Sequence, residues 1–158
     1  MRKADREITD TKDIEAILQS QRVCRLGMLS DGRAYVVPVN YGYESGALYF
    51  HSSKKGKKME ALAQNPEVCF EVDADVSIIT GELPCQYTTR YRSVIGFGRA
   101  VFLEDPEDKL HGLRVLMRGH DGPQEGFVPE IVAAVAVVRI DIESMTGKSL
   151  PAPAKRGE

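Results

Sequence analysis

Apolar and polar residues alternate along several short stretches of the chain, and residues that favour turns bound each stretch. The alternation is clearest where Cys69, Glu71 and Asp73 alternate with Phe70 and Val72. A period of two residues is typical of a β-strand with one buried face. Together with the turn residues, this pattern predicts six strands, at residues 22–29, 34–43, 47–52, 68–76, 92–104 and 133–142.

Helical spacing of apolar residues interrupts these strands in three places. Apolar side chains there recur every three or four residues, which places them on one face of a helix. Polar capping residues precede the first and third segments, and a proline ends the second. The predicted helices run up to Ser20, from the turn after Ser52 to Asn65, and from Asp105 to about Leu116.

The connections between the predicted strands are short. The turn at residues 30–33 leaves no room for the crossover that parallel strands need. Gly96 and Gly98 lie inside the fifth predicted strand, where glycine suits a bulge or barrel corner, and not in a turn that opens a dinucleotide-binding helix. These features predict a mainly β protein, a small antiparallel, six-stranded, Greek-key-like barrel with a few helices.

The composition indicates a single globular domain. Of the 158 residues, 42% are apolar and 28% are charged, which is ordinary for a soluble protein. No apolar run approaches the roughly 20 residues that cross a bilayer, and none follows the basic N-terminus as in a secretory signal. We expect one domain over residues 1–148, a flexible tail over residues 149–158, a cytoplasmic location, and no membrane or nucleic-acid partner.

The cysteines and histidines form no pattern of a disulfide, metal or nucleophile site. Cys24, Cys69 and Cys85 are odd in number and widely spaced, which argues against a disulfide scaffold and a structural zinc site. Cys24 and Cys69 lie in strand-like runs, so we expect buried, reduced thiols. The three histidines lack ligand spacing with acidic residues, so no metal is predicted. No serine or cysteine stands in a recognisable relation to a histidine and an acid.

Four lysines surround one glycine directly before the second predicted helix. Lys54, Lys55, Lys57 and Lys58 flank Gly56, although the whole chain carries a net charge of −2. A helix N-terminus has unpaired N–H groups and a partial positive charge, so it disfavours lysine unless an anion is bound. A phosphate would satisfy the N–H groups and the lysines together. A solvated basic turn is the simpler alternative, and these residues alone leave both interpretations open.

A set of motifs occurs in a fixed order along the chain. They are Arg22-Val-Cys-Arg-Leu26, Tyr35-Val-Val-Pro-Val-Asn-Tyr-Gly-Tyr43, Leu48-Tyr-Phe-His-Ser52 with Gly56-Lys-Lys58, Asn65-Pro-Glu-Val-Cys-Phe-Glu-Val-Asp73, Tyr91-Arg-Ser-Val-Ile-Gly-Phe-Gly-Arg-Ala100 and Met145-Thr-Gly-Lys148. Each motif alone is weak, but the combination is specific. Over residues 6–148 it resembles the pyridoxamine-phosphate-oxidase-like flavoproteins, and among them the nitroimidazole-reductase-like branch.

This resemblance implies a split β-barrel that forms a homodimer, with FMN in two clefts at the subunit interface. Within the site, Ser52, Lys57 and Lys58 would hold the phosphate, and residues 37–40 would lie along the isoalloxazine ring. The full set of implied cofactor-binding residues is Val37, Pro38, Val39, Asn40, His51, Ser52, Lys57, Lys58, Tyr91, Arg92, Ser93 and Val94.

Several of these assignments have alternatives. Arg92 would either bind phosphate through two parallel N–H bonds or form a surface ion pair. Pro38 marks either a cofactor face or simply an edge strand. His51 either anchors a strand end or, as the implied catalytic residue, holds or protonates a ligand beside the flavin. We expect His111 to face solvent and His120 to lie in a mobile loop.

The implied activity is that of an FMN-dependent oxidoreductase, which passes electrons from a donor such as a reduced nicotinamide to a small organic acceptor. One alternative is a protein that binds flavin or haem without turnover. Another is a pyridoxamine-phosphate oxidase, although the arginine-rich C-terminal end of those enzymes is absent here. The apolar face formed by Phe70 and Val72 is expected to extend to the dimer interface.

Overall fold

The computed structural model of the chain describes residues 4–150. In this part of the chain, four helices are present: α1 (Thr11–Ser20), α2 (Lys57–Gln64), α3 (Pro106–Gly119) and α4 (Pro129–Ala134). The strands are β1 (Glu7–Ile8), β2 (Val23–Ser30), β3 (Arg33–Asn40), β4 (Gly42–Glu44), β5 (Ala47–Ser53), β6 (Glu67–Ile79), β7 (Thr88–Leu103) and β8 (Val135–Leu150). Short 3-10 turns lie at Ala4–Arg6 and Pro84–Gln86.

All strand pairs are antiparallel, and they form one sheet in the order β3-β2-β6-β7-β8-β5-β4, with β1 added beside β8. The two edge strands, β3 and β4, follow one another in the chain with only Tyr41 between them. The sheet must therefore coil until its edges meet at this residue. The prediction of a mainly β, antiparallel fold is confirmed, and the sheet remains an unclosed, split barrel.

Tyr41 anchors the junction of the two edges. Its side chain is only 1% exposed, and its hydroxyl donates a hydrogen bond of 2.6 Å to the carbonyl oxygen of Leu18 in α1. Its backbone N–H donates to the carbonyl oxygen of Arg22 at 3.0 Å. A phenol buried with its hydroxyl paired stabilises the fold through both its ring and its hydrogen bond. Helix α1 is thus fixed against the closed end of the barrel.

The barrel interior is filled by the inward-facing side of the strands. Phe70, Val72 and Val94 are fully buried there, and Ile17 and Leu18 of α1 belong to the same core. Each such apolar side chain contributes about 1.5–3 kcal/mol on burial. The prediction that Phe70 and Val72 extend to a subunit interface is therefore wrong, because these two side chains are enclosed within one subunit.

The glycines of β7 allow close contacts inside the barrel. A Cβ on Gly96 would lie 2.3 Å from the Phe70 ring, and one on Gly98 would lie 2.3 Å from the carbonyl oxygen of Asp141. The register between β7 and β8 shifts between Phe97 and Gly98. The predicted bulge is confirmed, and the absence of side chains lets the strands bend there.

The described residues contain eight strands where six were predicted. The predicted strand at residues 34–43 is divided at Tyr41 into β3 and β4, and β1 has only two residues. A fourth helix, α4, precedes the last strand, which runs to Leu150 instead of ending at residue 142. Ser149 and Leu150, predicted to begin a flexible tail, pair with β7, whereas residues 151–158 lie outside the described residues.

The cysteines are all free. Cys24 is buried as predicted, but Cys69 is half-buried on the outer side of the sheet and Cys85 is exposed. The expectation of a buried Cys69 was wrong because the alternation of β6 turns it away from Phe70 and the core. Among residues 4–150, no helix is long and apolar enough to cross a membrane.

Candidate functional site

A split runs between β3 and the second half of β5. The two strands approach each other, but they form no ladder with each other. The split begins at Tyr41, where β3 passes into β4, and it extends toward the start of β3 and the end of β5. Backbone groups on the free edge of β3 have no strand partner, so they are available to a ligand. This is the candidate cofactor cleft.

The lysine-glycine turn lies at the open end of the split, where it leads from β5 into α2. Gly56 is the residue before the helix, with a φ of +116°, and no side chain caps the helix. The N–H groups of Met59 and Glu60 donate to the Gly56 carbonyl oxygen at 2.9 and 3.1 Å. The backbone N–H groups of Lys57 and Lys58, the first two residues of the helix, donate no hydrogen bond to a described residue. They are free donors for an anion.

The two lysines lie on opposite sides of the split. The ammonium of Lys57 lies 4.8 Å from the ring centroid of Tyr35 in β3, and that of Lys58 lies 5.2 Å from the ring centroid of Phe50 in β5. Such contacts hold a cation over an aromatic face. Burial lowers the pKa of Lys58, because its ammonium is partly removed from water. A bound anion would compensate for this lost hydration. The turn therefore concentrates positive charge between the strands.

His51 and Ser52 stand at the end of β5 with different surroundings. Strand alternation places Ser52 on the side of Phe50, which faces the barrel interior, and His51 on the side of Tyr49. Ser52 is half-buried and His51 is exposed. Neither side chain forms a hydrogen bond to a described residue. Ser52 therefore shares the side of the strand that Lys58 contacts, while His51 lies across the strand from it.

The predicted ring-binding segment lies on edge strand β3. Val39 is buried and Val37 is half-buried against the core, while Pro38 and Asn40 are exposed on the outer side. Pro38 stands opposite Arg25 of β2. It lies in an edge strand, and no neighbouring strand on the free side needs the N–H group that proline lacks. A ring in the split would meet the β3 backbone and the exposed Pro38 and Asn40.

The remaining predicted site residues lie at the other end of the sheet. Ser52 pairs with Ala136, next to the Val137–Leu103 pair at the end of β7. Arg92 is eleven residues from Leu103 in β7, which is roughly 35 Å of strand. These registers place the segment Tyr91–Val94 toward the opposite end of β7 from Leu103.

The four residues of that segment differ in what they offer a ligand. Val94 is fully buried in the core, so its side chain is not accessible. Tyr91, Arg92 and Ser93 are half-buried. The Arg92 Nε donates to Oδ2 of Asp75 at 2.5 Å, which is the ion pair considered as its alternative role. This pair occupies Nε and leaves the terminal N–H groups of the guanidinium unassigned.

Two residues at these positions were not recognised from the sequence. Tyr35 supports Lys57, and the ammonium of Lys148 lies 5.9 Å from the ring centroid of Tyr91. Tyr35 opens a motif already noted, so its place in an alternating strand beside the core was a usable signal. Lys148 approaches Tyr91 only because the far end of β8 pairs with β7, which no local pattern indicates.

The other histidines lie on α3 and near its end. His111 is exposed, as predicted, with Nε2 at 2.8 Å from Oε2 of Glu44. His120 follows α3, and its Nε2 is buried without a hydrogen-bond partner among the described residues. In the same part of the chain, no group of three or more His, Cys, Asp and Glu side chains is arranged to hold a metal ion.

The outer face of the sheet combines exposed apolar side chains with one charged cluster. Val36 is 60% exposed and Phe97 is 56% exposed. Further along β2 and β6, beside these two side chains, a guanidinium nitrogen of Arg25 lies 3.5 Å from Glu71 and 3.3 Å from Asp73. Burial, with a hydrogen bond and repulsion from Asp73, raises the pKa of Glu71 to about 7. A face of this kind is suited to further burial by a partner.

Comparison with known proteins links this geometry to a family. A solved structure of a putative 5-nitroimidazole antibiotic resistance protein from Bacteroides thetaiotaomicron shares 34% identity over 90% of this chain and 85% of that chain, with a TM-score of 0.81. A FAD-binding protein from Mesorhizobium loti shares 29% identity over 92% and 98%, with a TM-score of 0.68. The flavocytochrome Anf3 from Azotobacter vinelandii shares only 22% identity over 100% and 75%, but has a TM-score of 0.83.

A search of curated proteins gives no significant match. The sequence profile of pyridoxamine 5'-phosphate oxidase, in contrast, matches residues 10–149. That range includes both edges of the split, the lysine-glycine turn and the long strands β6, β7 and β8. The chain therefore belongs to the pyridoxamine 5'-phosphate oxidase family.

Proposed function

We propose that the protein is an FMN-dependent oxidoreductase of the nitroimidazole-reductase-like type. The observation that carries this proposal is the uncapped start of α2, where free N–H groups and two lysines face the open end of the split. This arrangement suits the phosphate of a flavin nucleotide. The split beside it offers a strand edge to a flat ring. Similarity to the Bacteroides thetaiotaomicron protein, described as a putative 5-nitroimidazole antibiotic resistance protein, supports a nitroimidazole-related type.

The proposal includes a homodimer with residues from both subunits in each cleft. Arg92 lies eleven residues along β7 from Leu103, whose level in the sheet is that of the end of β5. In this proposal, a second copy supplies Tyr91, Arg92 and Ser93. The exposed apolar side chains Val36 and Phe97 on the outer face support such an association. Sedimentation at several dilutions, read with flavin fluorescence, tests this: full FMN occupancy in a monomer would contradict the shared site.

Within the cleft, the chain's own residues position the cofactor and control protons. Lys57, Lys58 and the N–H groups at the start of α2 bind the phosphate, and the β3 edge from Val37 to Asn40 orients the ring. When bound, the flavin supplies two-electron transfer between a reduced donor and a small organic acceptor. His51 is exposed at the strand end, where its imidazole would hold an anionic acceptor or move a proton.

The main experiment replaces Lys57 and Lys58 together with alanine. This removes two charge-assisted contacts of about 1.5–3 kcal/mol each, so FMN affinity should fall by at least about a hundredfold. Riboflavin, which has no phosphate, should bind almost as before. Lys12→Ala, which removes an exposed lysine from α1, is the control and should leave both affinities unchanged. Equal losses for FMN and riboflavin would show that the turn has only a structural role.

A visible spectrum of the purified protein separates the alternatives. Flavin bands support the proposal, and a Soret band would favour a haem-binding protein, a class represented among similar folds by the flavocytochrome. Because the Mesorhizobium loti protein binds FAD, the titration should compare FAD with FMN. Bound flavin that no nicotinamide reduces would indicate a carrier, and turnover of pyridoxamine phosphate would indicate an oxidase. The free cysteines fit the cytoplasmic location that we also propose.

A further inference from the structure

A recess outside the split lies between α3, α4 and the residues that follow β5. Its volume is about 550 Å³. Lys54, Glu104 and Lys109 line it and also line an adjoining cavity of about 200 Å³. The adjoining cavity reaches Met59 of α2 and Ala136 of β8. The two spaces therefore extend from α4 toward α2 and have enough volume for a small ring compound.

One side of this recess is apolar. Leu110 of α3, Phe127 and Val132 line it. Val132 is 9% exposed, and Phe127 is half-buried against the core beneath α3. These side chains are fixed by packing, so they offer a preformed surface to an aromatic or branched aliphatic group. The apolar part of a ligand in this recess is therefore expected to be an aromatic or branched aliphatic group.

The opposite side carries a buried ammonium group. The side chain of Lys109 is 8% exposed, and its Nζ donates a hydrogen bond of 3.0 Å to the carbonyl oxygen of Val135. No described residue forms an ion pair with it. An ammonium has three donors, so this bond, which holds the end of α4, accounts for one of them. A buried charge without an ion partner is unfavourable, and a carboxylate in the recess would pair with it.

The remaining charges at the recess limit the charge of the ligand. Glu104 and Glu107 line it and are exposed, as is Lys54, and none of the three forms an ion pair with a residue between 4 and 150. Exposed charges act weakly on one another but repel a like charge brought between them. Two nearby carboxylates therefore disfavour a dianion such as phosphate. A ligand with a single carboxylate, placed at the buried Lys109, fits this arrangement of charges.

We propose that this recess binds a small monocarboxylic acid with an aromatic or branched apolar body, whose carboxylate pairs with Lys109 and whose body packs against Leu110, Phe127 and Val132. The site is separate from the flavin proposal, because none of the residues assigned to the flavin lines it. Its test requires neither flavin nor turnover.

The test is a ligand-observed NMR titration of the purified full chain with 3-phenylpropionate and with the neutral 3-phenylpropan-1-ol. The acid should bind and the alcohol should bind more weakly. Lys109→Met keeps the length of the stem but removes the charge, so affinity for the acid should fall about tenfold or more, with less than a twofold change for the alcohol. Lys12→Met on α1 is the matched control and should change neither.

A second variant covers the case in which Lys109→Met does not fold. Ala133 is exposed on α4 and lines the recess, so Ala133→Trp should fill it without disturbing the core and should abolish binding of the acid. Inorganic phosphate should not displace the acid from the unaltered protein. Failure of the acid to bind, an equal loss of acid and alcohol in folded Lys109→Met, unchanged binding in Ala133→Trp, or displacement by phosphate would each overturn the proposal.

Discussion

Gly56 allows a direct test of whether the lysine-glycine turn is shaped for a ligand. Its φ of +116° and ψ of 165° lie in a region that is essentially restricted to glycine. An added Cβ would have no other atom within 4 Å. Gly56→Ala therefore introduces backbone strain without a steric clash, and such strain costs about 1–3 kcal/mol.

The strain of Gly56→Ala should appear in one of two measurements. If the turn keeps its conformation, the free energy of unfolding falls by about 1–3 kcal/mol, which lowers the melting temperature by about 2–12 °C for a domain of this size. If the turn relaxes to an allowed conformation, stability is nearly unchanged, but the backbone N–H groups of Lys57 and Lys58 no longer point toward the same anion. FMN affinity then falls by about 5- to 150-fold.

The assay combines thermal unfolding followed by circular dichroism with a fluorescence titration of FMN. Gly46→Ala is the matched control, because Gly46 also has a positive φ, of +80°, with open space around it, but lies in the turn between β4 and β5. It should lower stability and leave the FMN affinity of the folded protein intact. The reasoning is refuted if Gly56→Ala changes neither quantity, or if both variants weaken FMN binding equally.

Three further predictions concern single side chains. His51→Asn should leave FMN bound but lower turnover by about 10²–10⁴-fold and remove one inflection from the pH profile; an unchanged rate and profile would exclude His51 from the mechanism. Because the pKa of Glu71 is raised to about 7, the folded state binds more protons than the unfolded chain, so stability should fall as pH rises from about 4.5 to 7. Glu71→Gln should reduce that slope in melting curves, and an identical slope would contradict the assignment. Burial raises the pKa of Cys24 to about 12, so iodoacetamide should modify exposed Cys85 in the native protein and Cys24 only after unfolding, as peptide mass mapping would show.

Much of the fold follows from local patterns. The alternation at Phe70 and Val72 predicted β6 because their burial is a property of one strand with one buried face. The capping residue Asp105 predicted the start of α3, where its side chain accepts hydrogen bonds from the N–H groups of Glu107 and Asp108. In both cases, the interactions that form the element lie within a few residues of one another.

Other features depend on contacts between distant parts of the chain. The sequence around Tyr41 looks like a continuous strand, and the break appears only because the chain pairs with β2 up to Asn40 and with β5 from Gly42 onward. Helix α4 has six residues and too little periodicity for recognition. The far end of β8 is polar, and it is a strand because it pairs with β7. Long-range pairing of this kind has no local signature.

The candidate site divides in the same way. The lysines around Gly56 were identified from their conflict with a helix N-terminus, which is a local electrostatic property. That β3 lies across the split from them follows from the path of the chain through Tyr41. The distance of Arg92 from the turn follows from the registers of β5, β8 and β7. The sequence motifs alone indicate neither the position of β3 across the split nor the position of Arg92 relative to the turn.

The junction at Tyr41 also determines how the barrel can open. Because one residue joins the two sheet edges, they cannot separate there without losing the buried tyrosine and its hydrogen bond to Leu18. Their relative movement must therefore increase with distance from Tyr41, toward Tyr35 and Ser53. Amide hydrogen exchange along β3 should be slowest beside the junction and fastest at the opposite end. A molecule that bridges Lys57 and the β3 edge would hold the two edges together at the place where their relative movement is largest.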